Sequence, residues 1–239
     1  MFENKIEFIC INQDMANVWP HPKPATRFIP EEYKKLQRFP MEGNLNHPSV
    51  KTCVPFLDSM TAGYIIPYDQ DYLIDPIGSI DHPIEPGNGE WYMMGSQKQE
   101  NSEYHHNAQL PPEWHDRVKT KAGKFGNKWL IITPPGYSCL FVKPMNRHKE
   151  NRIDIIPGIV DTDSYINAIN FPFINNKFDE QFILKKGDPM VQVFPFKRES
   201  WKMWSGFRRE KRHVLTENSN LSLWMDKYKK LFWKKKSYR

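Results

Sequence analysis

Between Trp129 and Lys202 the chain carries four apolar runs, none longer than ten residues, each closed off by proline, glycine, asparagine or aspartate. They are WLIIT (129–133), SCLFVKP (138–144), YINAINFPFI (165–174) and PMVQVFPF (189–196). Short runs rich in β-branched and aromatic residues between turn formers read as strands. Pro135-Gly136 and Lys186-Gly187-Asp188 supply the turn positions, and Gly158 precedes an acidic loop, Asp161-Thr162-Asp163. Twenty prolines among 239 residues weigh against long helices and for many short strands. Mean hydropathy is low, at -0.71, but an aromatic fraction of 14% provides the large buried surfaces that disordered chains lack.

Outside that stretch the sequence predicts an opening strand over Lys5–Ile11 and an extended proline segment over Trp19–Ala25. A helix is expected over Ile29–Phe39, with Pro30, Glu31 and Glu32 in its first turn and Lys35 and Arg38 at its end. A helical turn is expected around Pro55–Met60, followed past Gly63 by one or two strands. Residues 75–127 show no clear periodicity, so short strands near Gly89–Met94 and a functional loop around the histidines are expected there. Near the end, Leu221, Trp224, Tyr228, Leu231 and Phe232 share one stripe at helical spacing, which predicts an amphipathic helix over 221–235. The organisation expected is an N-terminal extension (1–50), a β core (51–204) containing the long loop (75–127), and a basic helical tail (205–239).

Three cysteines without CxxC spacing and an N-terminus without an apolar signal region point to a reducing, cytoplasmic setting. No apolar run is long enough for a transmembrane helix. The net charge of +6 is concentrated after Lys197, where tryptophan and phenylalanine alternate with lysine and arginine. Such a tail suits nucleic acid, anionic lipid or an acidic partner, or else a solvated helix packed by its aromatic face.

Cys53 and Cys139 lie in apolar surroundings, where a thiol is an inert core residue. Ser138 lacks the Gly-x-Ser-x-Gly elbow, and neither a P-loop nor a dinucleotide fingerprint is present. The histidines offer a metal reading. His82, one of His105 and His106, and His115 or Asp81 would make a two-histidine, one-carboxylate set for Fe2+, as in jelly-roll oxygenases. His105 and His106, being adjacent on a strand, face apart and cannot both ligate one ion.

Four segments occur in a telling order: Ala62-Gly63-Tyr64; Pro144-Met145-Asn146-Arg147; Gly158-Ile159-Val160-Asp161-Thr162-Asp163-Ser164-Tyr165; and Gly187-Asp188-Pro189-Met190-Val191-Gln192. In this the chain resembles the trimeric dUTP pyrophosphatases and dCTP deaminases, with Pro-Met-Asn-Arg standing where that family has its phosphate-binding turn. The resemblance implies a mainly-β fold, a dUTPase-like β-clip or jelly-roll barrel, assembled as a homotrimer with sites between subunits. It implies a nucleotide substrate and a nucleotide-hydrolase activity. Asp161 would orient and deprotonate the water, with Asp163 in support and Mg2+ held by phosphates and acidic residues. Tyr64 would lie near the base, Asn146 and Arg147 on phosphate together with Lys143 and Lys149, and Tyr165 and Gln192 beside the site. An Asp-rich turn capping its own backbone accounts for Asp161 and Asp163 equally simply. The segments TPPGYS (133–138), GIVDTD (158–163) and PFKR (195–198) also look like an uncharacterised domain family of bacteria and large phages. That likeness leaves open a non-enzymatic structural or interaction protein on the same scaffold.

Overall fold

The computed structural model describes residues 5–74, 80–81, 104–105, 110–114, 122–147, 151–177, 180–207 and 228–239. Its architecture is mainly β, and every strand pair is antiparallel. The central sheet has five strands in the order β13 (Gly158–Val160), β11 (Tyr137–Val142), β16 (Pro189–Lys197), β5 (Tyr64–Pro67) and β2 (Lys23–Pro24). A four-stranded sheet orders β12 (Ile153–Ile155), β14 (Phe171–Asn175), β9 (Ala122–Phe125) and β8 (Tyr104–His105). A third joins β15 (Phe182–Leu184), β6 (Tyr72–Ile74) and β7 (Ile80–Asp81). Two ribbons complete the set, β1 (Glu7–Cys10) with β10 (Trp129–Ile132) and β3 (Met41–Glu42) with β4 (Leu45–Asn46).

Period-two burial welds these sheets into one core. β10 turns Trp129 and Ile131 inward, β12 Ile153 and Ile155, and β15 Phe182 and Leu184. Phe141 of the central sheet meets Phe171 of the four-stranded sheet at 5.6 Å between ring centroids. Phe125 stacks on Phe173 at 4.2 Å and meets Tyr72 of the third sheet edge-on at 5.1 Å. The sheets meet through these aromatic contacts and not through a continuous ladder, so the described residues form no closed barrel, contrary to expectation.

The first fifty residues are woven into this body. β1 pairs with β10, β2 extends the central sheet, and Trp19 and Ala25 are buried. Helix α1 covers only Glu31–Lys35, shorter than expected, with Pro30 at its N-cap. Leu36 turns extended, and the Lys51 ammonium takes the carbonyls of Lys34 and Leu36 that a longer helix would have used. Helix α2 (Val54–Thr61) stands where the sequence expects a helical turn. The strand expected over 165–174 begins only at Phe171, and the Tyr165 N–H is instead bound to the carbonyl of Asp161 in the acidic turn. The helix expected over 221–235 is also corrected where it can be seen. Tyr228–Phe232 forms one π-helical turn and the chain is non-helical from Trp233 on, while Leu221 and Trp224 fall outside the described residues.

Candidate functional site

The acidic loop sits where β13, the start of β11 and the end of β16 meet. Register brings them together, with Cys139 opposite both Val160 and Pro195. Thr162 points inward, 2% exposed, and its hydroxyl lies 2.7 Å from that of Thr133. This pins the loop to the end of β10 and leaves Asp161 and Asp163 on either side of it.

The two carboxylates have different surroundings. Asp163, with a side chain only 9% exposed, accepts the Gly136 N–H at 2.8 Å and is gripped by both terminal nitrogens of Arg198. Gly136 can turn its N–H this way because it adopts φ 85, a left-handed conformation that suits glycine. The hydrogen bonds from Arg198, and after them the one from Gly136, hold the Asp163 carboxyl at about 2, below the ordinary carboxylate range. The same guanidinium donates to the Tyr137 carbonyl at 2.9 Å and to Ser138 Oγ at 3.1 Å. Asp161 is the open member, with a side chain 60% exposed. Its Oδ1 accepts the Ser138 hydroxyl at 2.6 Å and lies 3.3 Å from Arg198. Neither contact involves Oδ2, which makes no hydrogen bond among the described residues.

TPPGYS contributes Gly136 and Ser138 to this cluster, GIVDTD the two aspartates, and PFKR the arginine. These three separate segments of sequence therefore converge on a single clamp. Arg198 is the residue that sequence reading missed. Its signal was the PFKR segment, but its carboxylate partner lies 35 positions away and only strand register reveals the pairing.

The other nucleotide candidates lie elsewhere. The Pro144–Arg147 turn follows β11 at its far end, and the five residue steps from Ser138 to Lys143 span roughly 17 Å. The turn docks on α2. Asn146, at φ 58, donates to the Phe56 carbonyl at 3.2 Å and to Ser59 Oγ at 2.7 Å. Arg147 is 7% exposed and donates to the carbonyls of Phe28 and Met60. Gln192 is fully buried. Its Nε2 donates to the carbonyls of Ser59 and Ala62 at 2.9 and 2.7 Å, and its Oε1 accepts the Met145 N–H at 2.9 Å. Gln192 thus joins the end of α2 to the turn, and Arg147 fastens the same turn to the N-terminal segment.

A cleft of about 470 Å³ opens beside this turn, lined by Phe56, Lys143, Pro144, Met145, Asn146, Arg147 and Asn151. Lys143 Nζ donates to Asp154 at 2.8 Å and to Asn151 at 3.4 Å. Tyr64 is on β5, half-buried between Phe8 and Tyr238, and Tyr165 is exposed beyond the acidic loop. The structure therefore brings together Asp161 and Asp163, and separately Asn146, Arg147 and Gln192, without joining the two groups within one chain.

His105 lies on β8, its backbone opposite Ala122. His82, His106, His115 and Lys149 fall outside the described residues. No group of three potential metal ligands occurs among the described residues. No helix among them is long and apolar enough to cross a membrane.

No family model and no curated protein matches the chain. Among solved structures it is similar to the dUTPase of Staphylococcus bacteriophage 80alpha, with TM-score 0.40 and 9% identity over 87% of this chain and 99% of that one. It is similar also to a point mutant of that dUTPase with dUpNHpp, with TM-score 0.41 and 9% identity over 87% of this chain and 100% of that one. A mutant dUTPase from phage phi11 of S. aureus, with a coordinated structural Mg(II) ion, gives TM-score 0.33 and 12% identity over 63% of this chain and 86% of that one. At these TM-scores the likeness carries no weight for activity.

Proposed function

We propose that this protein binds a nucleotide and hydrolyses it by water attack on phosphorus, with Asp161 orienting the water and taking its proton as the bond to the leaving phosphate breaks. The observation that carries this reading is the unequal state of the two aspartates. Asp163 is covered and held by an arginine and a backbone N–H, whereas Asp161 presents an open oxygen on a carboxylate that Ser138 and Arg198 hold in place. A general base needs that combination of fixed orientation and access to water.

Lys143 and Asn151 in the cleft lining are the polar groups for the phosphates, with Phe56 against the base. Arg147 also lines the cleft, and it and Asn146 hold the turn as well, their donors set on the carbonyls of Phe28 and Met60 and on Phe56 and Ser59. With Asp161 at the other end of β11, one substrate reaches both groups only across a boundary between copies, and a homotrimer is the assembly proposed. Arg198 occupies the position between the carboxylates that a metal ion would take, so the aspartate pair does not fit Mg2+. Mg2+ enters this reading only as counter-ion to the substrate's phosphates.

Light scattering at micromolar concentration, paired with a thermal-shift panel of nucleoside di- and triphosphates, tests this reading. About three chains per particle and a nucleotide-dependent rise in Tm are expected. A monomer whose Tm no nucleotide moves overturns it in favour of a non-enzymatic scaffold protein. That second reading has its own support in Arg147 and Gln192, candidate ligand contacts whose hydrogen bonds instead hold α2 and the turn together.

A further inference from the structure

The segment Tyr228–Arg239 carries six cations and no acid in twelve residues. Only part of it faces the body. Trp233 Nε1 donates to Asp58 of α2 at 2.9 Å, and Lys236 pairs with the same carboxylate. Tyr238 meets Tyr64 edge-on at 6.0 Å, and the Tyr64 hydroxyl donates to the Arg239 carbonyl at 3.4 Å. Trp233 and Tyr238 are thus the inward anchors.

The remaining side chains are displayed. Tyr228, Leu231 and Phe232 are 46%, 56% and 61% exposed. Lys229, Lys230, Lys234 and Lys235 are exposed around them, and none enters an ion pair among the described residues. A packed amphipathic helix would have buried the aromatic stripe. Here the body holds the segment with its apolar tips and with lysines that are unpaired among the described residues exposed together.

We propose that this face docks on an anionic lipid bilayer. Lysine ammonium groups are compact, strongly hydrated charges without the planar fork that reads a particular phosphate, so they suit a diffuse anionic surface. Leu231 offers a base nothing to stack on, while Leu231 and Phe232 together suit the headgroup and acyl boundary. Nucleic acid, the rival polyanion, calls for an aromatic platform in a basic groove, and the aromatics of Tyr228–Arg239 are instead an anchor pair facing inward and separate exposed tips.

The test is sedimentation of the full chain with phosphatidylcholine vesicles containing or lacking phosphatidylserine, at about 0.1 M and about 0.5 M salt. Binding is expected to the phosphatidylserine vesicles alone and to be lost at the higher salt. The variant K229E/K230E/K234E/K235E is expected to partition roughly 100-fold or more weakly, since each lysine near such a surface contributes about five-fold. L231S/F232S is expected to weaken binding with the salt dependence retained. Melting curves accompany each variant, and the salt reversal on the unsubstituted chain tests the proposal even where a variant fails to fold. Equal binding to both kinds of vesicle, no binding to either, or a single-stranded oligonucleotide that displaces the protein from phosphatidylserine vesicles overturns the lipid assignment.

Discussion

Arg198 grips Asp163 through both terminal guanidinium nitrogens, joining the end of β16 to the loop after β13 across 35 positions of sequence. Two-point contact of this kind fixes direction as well as distance. Asp163 thereby becomes a fastening and Asp161, two residues earlier, the exposed carboxylate.

The first prediction is a pH signature. The Asp163 carboxyl is held at about 2 in the folded protein, below the ordinary carboxylate value near 4 expected when unfolded. A depressed folded value means that the unfolded chain binds the proton more readily. The contribution of Asp163 is therefore complete above about pH 4 and is lost as pH falls toward about 2. Parent and Asp163→Asn should differ most in Tm near neutral pH and converge over that acid window. An Arg198→Lys variant should lose most of the difference too, because lysine cannot bind the carboxylate at two points.

Gly63 sits at φ 70, and a Cβ there would meet the Val193 carbonyl oxygen at 2.0 Å. Gly63→Ala should therefore destabilise by about 3 kcal/mol or more, combining left-handed strain with overpacking against backbone. Gly43, at φ 61 with nothing within 4 Å, provides the control. Its alanine variant should lose only about 1 kcal/mol, measured by chemical denaturation.

Much of the architecture was legible along the chain. Runs with strict alternation or dense β-branching, such as Trp129–Ile132 and Pro189–Lys197, became strands close to their expected bounds. What stayed hidden depends on distant partners. β9 (AGKF) has weak strand chemistry of its own and is a strand because β14 pairs along it, the ring of Phe173 lying over Gly123. β12, β13 and β15 are three residues each, too short to show a period. In the site, the acidic loop was visible as a glycine followed by paired carboxylates. The inequality of the two aspartates was not, since it arises from an arginine just after β16 and a backbone N–H in the turn before β11.

Gln192→Leu is expected to destabilise by about 2–4 kcal/mol, since it leaves the Met145 N–H and the carbonyls of Ser59 and Ala62 without their buried partner. Urea unfolding measures the loss. A variant as stable as its parent would remove Gln192 as the link between α2 and the turn.

Thiol chemistry should separate the cysteines. Burial pushes the Cys139 thiol up to about 11 and hides it completely, whereas Cys53 is exposed. A thiol-reactive dye on the native protein should label Cys53 rapidly and reach Cys139 only on unfolding. Fast native labelling of Cys139 would contradict the core position of β11.

The most direct measurement is the rate of phosphate or pyrophosphate release from a panel of nucleoside triphosphates with Mg2+ present, for the parent, Asp161→Asn and Asp163→Asn, each with its melting curve. Asparagine at position 161 keeps the turn and removes the base, so the rate should fall by about two to four orders of magnitude with Tm little changed. Asparagine at position 163 should lower Tm more than the 161 variant does, because it weakens the Arg198 clamp. A parent that releases nothing from any nucleotide, or an Asp161→Asn variant as fast as its parent, would contradict the assignment of Asp161 as the reacting carboxylate.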